Sequence, residues 1–119
     1  MANVEVLVKE WLETFVGDDY PVSSEKPKTP PASFILVDRT GGPREAMVLD
    51  RASILIEVYH KTSRLDASEK ANEIADRIIE LVAFDQNITH ADVNSLVSLD
   101  DVIAQYRRYQ IYCDVYHRR

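Results

Sequence analysis

Apolar residues first recur at Val4, Leu7, Val8, Trp11, Leu12 and Phe15, the i, i+3, i+4, i+7 spacing of an amphipathic helix. The pattern predicts a helix over Asn3–Val16, with Asn3 as N-cap and Gly17 as the stop. Its stripe, Trp11 included, is read as core packed on a sheet. From Asp18 to Ala32 the pattern lapses. Pro21, Pro27, Pro30 and Pro31 remove backbone donors and fix φ. A loop is expected there, through which neither helix nor ladder runs, serving as a connector or as an arm that orders against a neighbouring subunit.

A hairpin follows. Ser33–Arg39 contains the run Phe34-Ile35-Leu36-Val37, apolar on both faces, and Thr40–Glu45 turns the chain at Gly41 or Gly42. The next strand, Met47–His60, alternates. Ile54, Ile56 and Val58 point one way, and Ser53, Leu55, Glu57 and Tyr59 the other, giving one dry face and one mixed face. The period then becomes helical. Ala67, Ala71, Ile74, Ala75, Ile78, Leu81 and Val82 form the apolar stripe of a helix over Asp66–Val82, which Asp66 opens with Glu69 as its capping-box partner. Glu69, Glu73, Asp76 and Glu80 form an acidic stripe opposite, and Glu73 and Arg77 are spaced for an ion pair. Phe84–Asp92 reads as a connection, Val93–Leu99 as a strand, Asp100–Gln105 as a turn and Tyr106–His117 as a last strand. In that strand Tyr109, Ile111, Cys113 and Val115 alternate with Gln110, Tyr112, Asp114 and Tyr116.

The order α-β-β-α-β-β predicts an α+β fold: a mostly antiparallel four-stranded sheet with two helices packed on it, in one domain over residues 1–119. No apolar run is long enough to cross a bilayer, and residues 1–5 do not read as a signal peptide. The net charge of −6 argues against a nucleic-acid grip, since the basic doublets are only Arg107-Arg108 and Arg118-Arg119. The single cysteine, Cys113, has no internal partner and reads as a buried small hydrophobe.

The sequence carries no recognisable catalytic, metal or cofactor site. Gly41-Gly42 leads into a strand, so it cannot aim helix N–H groups at a phosphate. His60, His90 and His117 are far apart in sequence, although His60 and His117 would approach each other if their strands were neighbours. Cys113 and His117 share a side of one strand, but ~13 Å apart at ~3.3 Å per residue, too far for a nucleophile–base pair. No enzyme is expected.

The stretch Pro31-x-x-Phe34-Ile35-x-Val37-x-Arg39-Thr40-Gly41-Gly42, entering a strand that begins Leu49-Asp50-Arg51-Ala52, resembles the tail terminator proteins of long-tailed (siphovirus) phages, especially those of actinobacterial hosts. The helix around Glu69–Ile79 and the aromatic strand Tyr106–Val115 fit the same pattern. The resemblance implies a virion protein at the tail–neck junction, assembled in the host cytoplasm as a hexameric ring. Such a ring caps the head-proximal end of the tail tube, stops polymerisation of the major tail tube protein and docks to the head-completion (stopper) protein. Genomic DNA passes through the lumen without specific binding, and no membrane or cofactor takes part. The competing assignments are a stopper protein of the same neck and a non-viral interaction adaptor.

A ring subunit needs two different faces that bind each other. The candidate faces are the mixed face of Ser53–Tyr59 and the tyrosine face of Tyr106–Tyr116, and Arg39, Arg44, Arg51, Leu55, Glu57, Tyr59, Tyr112 and Tyr116 are the candidate residues of the subunit interface. The loops Asp18–Ala32 and Thr40–Ala46 are candidates for contacts with the rings above and below. Glu69, Glu73, Asp76 and Glu80 are candidates for a channel wall that repels DNA.

Overall fold

The computed structural model describes residues 3–41 and 49–118. Helix α1 spans Val4–Glu13, with Asn3 as its N-cap. The Asn3 side-chain oxygen accepts the Glu5 N–H at 2.8 Å, which satisfies one of the donors left open at a helix start. Beyond the helix the Thr14 hydroxyl donates back to the Trp11 carbonyl at 2.6 Å. Gly17, at φ 86°, turns the chain in the left-handed region that favours glycine.

The next segment departs from expectation. Val22–Ser23 form a short strand, β1, parallel to Ile35 and Leu36 of β2 (Ser33–Gly41). The prolines flank this pairing instead of preventing it: Pro21 has no N–H, but its carbonyl accepts the Ile35 N–H at 2.9 Å. Tyr20 and Val22 are buried in the core. Lys26 reaches Asp101 at 3.2 Å, and the Tyr106 hydroxyl donates to the Pro31 carbonyl at 2.8 Å. Val22–Ser23 therefore pair with the chain's own sheet, while residues 24–32 form no helix or strand and are mostly exposed.

The turn expected after β2, with Gly42 and Arg44, and the expected strand start at Met47 lie outside the described residues. Strand β3 is Leu49–His60, β4 is Ile88–Ser98 and β5 is Arg107–Arg118. The sheet order is β1-β2-β3-β5-β4, antiparallel everywhere except β1–β2. The four expected strands are thus extended to a five-stranded mixed sheet. Strand β4 begins at Ile88 instead of Val93. Register shifts at Ile88/His90 and Val93/Ser95 break the period of two, so its alternation is hidden in the sequence.

Helix α2 runs Arg64–Arg77, followed by a 3₁₀ turn at Ile78–Glu80 and the short α3 at Leu81–Phe84. Its cap is Ser63, not Asp66: the Ser63 hydroxyl accepts the Asp66 N–H at 3.0 Å. The Ser63 N–H, which a capping-box carboxylate would satisfy, goes instead to His60 Nδ1 at 2.9 Å. Glu69 has no capping role.

The helices cover one face of the sheet. Trp11, Leu12, Ile35, Ile54, Ile56, Ile74, Leu81 and Ile111 are fully buried between the two layers. Ala67 and Ala71 are also fully buried, and their small side chains let α2 lie close to β3 and β5. On the opposite face sits a smaller cluster of Phe34, Tyr59 and Tyr106.

Candidate interaction faces

Strand alternation sorts the remaining side chains. Even positions of β2, odd positions of β3 and even positions of β5 point away from the helices. The register lines them up in rows across the sheet: Phe34–Tyr59–Arg108, then Leu36–Glu57–Gln110–Val97, then Asp38–Leu55–Tyr112–Ser95, then Ser53–Asp114–Asp92, then Arg51–Tyr116–His90. Among the described residues no helix covers this face. Its centre is a connected polar network. Gln110 Nε2 donates to Glu57 Oε2 at 3.1 Å, the Tyr112 hydroxyl donates to Gln110 Oε1 at 3.3 Å, and Arg108 Nη1 lies 3.5 Å from Glu57 Oε2. Asp114 accepts from Ser53 at 3.3 Å and from Asn94 at 3.0 Å. Such bonds fix rotamers before any partner arrives, which lowers the ordering cost of an interface.

Of the interface candidates, Arg51, Leu55, Glu57, Tyr112 and Tyr116 are brought together on this open face, so the mixed face of β3 and the tyrosine face of β5, expected as two different faces, are one, because the strands pair directly. Tyr112 is 38% exposed. Tyr116 lies beside His90, with ring centroids 5.9 Å apart. Arg39 is not with them. Alternation puts it on the helix side of β2, where its backbone N–H donates to Glu5 of α1 at 3.4 Å. Arg44 lies outside the described residues. Tyr59 shares the face, but it is only 3% exposed. Its ring stacks on Phe34 at 4.4 Å and 9°, with the edge of Tyr106 at 6.0 Å. Burial pushes its phenol above the ordinary pKa, partly offset by the Arg108 hydrogen bond. Tyr59 is therefore core, with almost no area to offer a neighbour.

The acidic stripe on α2 is partly neutralised. Glu73 pairs with Lys70 at 2.9 Å and Glu80 with Arg77 at 3.0 Å, both i, i+3. The expected Glu73–Arg77 pair gives way to these, and Arg77 also lies 3.9 Å over the Phe15 ring. Glu69 and Asp76 are exposed, with no ion pair among the described residues.

The histidines do not converge. His60 pairs with Arg107 and His117 with Asp50, at opposite ends of β3 and β5. The strands are neighbours, but their antiparallel sense separates the two rings. His60 Nδ1 accepts the Thr62 and Ser63 N–H groups at 3.3 and 2.9 Å, so it shapes the β3–α2 turn. Among the described residues no group of three His, Cys, Asp or Glu side chains is placed to hold a metal ion. Cys113 is buried, and burial raises its thiol pKa to about 12.

The turn between β4 and β5 carries Leu99, Val102 and Ile103, the last two 82% and 98% exposed. Two adjacent β-branched residues inside a turn flanked by Asp100-Asp101 are the signal that would have found it.

Neither a protein-family model nor a curated protein sequence matches the chain. Among solved structures, a chain of the "Virion of native gene transfer agent (GTA) particle" superposes on 91% of this chain and 84% of its own length. The TM-score is 0.68 at 11% sequence identity. The likeness is one of fold.

Proposed function

We propose that this chain is a structural protein of a phage-like virion and, within it, a tail terminator. In this reading its copies form a hexameric ring at the head-proximal end of the tail tube. The ring halts growth of the major tail tube protein and joins the tail to the head-completion protein at the neck. DNA passes through the lumen without specific binding. The observation that carries the reading is the fold shared with a chain of a gene transfer agent virion over 91% of this chain. The terminator-like Arg39-Thr40-Gly41 turn entry and the uncovered, pre-ordered sheet face support it. If α2 lines the lumen, the repulsion of DNA rests on Glu69 and Asp76, because Lys70 and Arg77 neutralise the other two carboxylates.

The test is to make particles without this protein and image them. A terminator predicts tails that grow past their normal length and stand apart from filled heads. A stopper, the competing role, predicts tails of normal length and heads that leak DNA. Normal infectious particles would overturn both.

A further inference from the structure

The β4–β5 turn is rigid at its base and apolar at its tip. Asp101 and Tyr106 exchange backbone hydrogen bonds at 2.9 and 3.0 Å. Asp101 Oδ1 accepts the Ala104 N–H at 3.0 Å, and the Tyr106 ring is wedged against Phe34 and Tyr59. On this fixed support Val102 and Ile103 stand in solvent. A single exposed aliphatic is ordinary, but an adjacent pair on a stiff turn is a ready-made apolar contact.

Charge indicates what the tip fits. Arg64 and Arg107 share one carboxylate, Asp100, at 2.6 and 3.1 Å, which leaves one positive charge over. Lys61, in the same hollow beneath the tip, adds another, with no ion pair among the described residues. Asp101, the other carboxylate of the turn, is cancelled by Lys26 at 3.2 Å, so the collar of the tip is cationic on a chain of net charge −6. On the open sheet face, Leu55 and Tyr112 lie directly opposite each other. They are flanked by Asp38 in their own row and Asp114 in the next, and neither carboxylate has a cation partner among the described residues. An apolar spot with an anionic rim complements an apolar tip with a cationic collar.

We propose that the Leu99–Tyr106 turn of one copy seats on the open sheet face of a second copy, around Leu55 and Tyr112. The two surfaces are different, so the contact is heterologous: each copy gives a tip and receives one, and the chain of contacts closes into a ring if the rotation allows. This deepens the terminator reading and rests on it only in requiring that copies of this chain touch.

The experiment is sedimentation of the purified chain and two variants, V102D/I103D at the tip and D38K/Y112K on the receiving face. Thermal melts check that both remain folded, since all four positions are exposed. Wild type is expected to self-associate within the range up to about 1 mM, the weakest binding such a measurement resolves. Raising salt from about 0.05 to about 0.5 M should weaken the association by screening the collar and rim. Each variant alone should associate at least about 30-fold more weakly, the scale of losing an interface hot spot. An equimolar mixture of the two variants should form dimers and nothing larger, because it contains one intact tip and one intact receiver. Variants that assemble like wild type would overturn this contact while leaving a ring intact. A mixture that stays monomeric, or a wild type monomeric throughout the range, would also overturn it, and the particle images would then judge the terminator reading separately.

Discussion

Replacing Tyr59 by alanine separates a core role from an interface role. Its ring is 3% exposed, stacked on Phe34 at 4.4 Å and met by the edge of Tyr106. Truncating a buried aromatic of this kind costs about 3–5 kcal/mol, the upper part of the range applying where the site cannot collapse. Collapse is restrained here, because Tyr106 is tied to Pro31 and the Asp101 bridge. The hydroxyl matters less. Its contacts with Arg108 and Glu57 are long, both 3.4 Å, so Tyr59→Phe should cost at most about 1 kcal/mol. Urea unfolding of the monomer, read at low protein concentration, measures both. The reasoning is refuted if Tyr59→Ala lies within about 0.5 kcal/mol of wild type, as a solvated surface site would.

Ser63→Ala should cost about 1 kcal/mol through loss of the α2 cap, while Glu69→Gln stays within about 0.5 kcal/mol; urea midpoints compare them. Cys113, buried with its thiol pKa raised to about 12, should resist a thiol reagent at about pH 8 until the chain is unfolded; fast labelling of native protein would refute this. Asp101 is held below the ordinary carboxylate pKa by the Ala104 N–H and then by Lys26. A depressed carboxyl stabilises fully above its unfolded pKa and loses that contribution as pH falls through the folded value. The 101–106 turn should therefore resist pepsin at about pH 5 and be nicked only below about pH 4, with Asp101→Asn nicked at both.

The regular elements were legible because their signals are local. The α1 stripe, the alternation of β3 and β5, and the small-residue face of α2 each follow from a spacing that one element sets alone. Signals that depend on tertiary pairing were not legible. Strand β1 exists because the Pro21 carbonyl meets Ile35, fourteen residues on in the chain. The first half of β4 was hidden by two register shifts. The α2 cap was misplaced because His60, at the end of a strand, satisfies a donor that a carboxylate usually takes. For the candidate site, alternation grouped Leu55 with Glu57 on one strand and Tyr112 with Tyr116 on another, but only the β3–β5 register shows that the two groups share one face instead of forming two. Alternation could not foresee that the turn at 101–106 folds over Tyr59, nor that Arg39 lies on the other side of the sheet from Arg51. Val102 and Ile103 were passed over because turn residues are expected to be polar.

The central claim, that this chain is a ring-forming part of a tailed particle, is tested most directly by cryo-electron microscopy of intact purified particles. The account predicts density for this five-stranded fold at the head-proximal end of the tail tube, repeated around the tail axis with the 99–106 turn of each copy on the open sheet of the next. Particles that lack the chain altogether, or that carry it only at the far end of the tail, would contradict it.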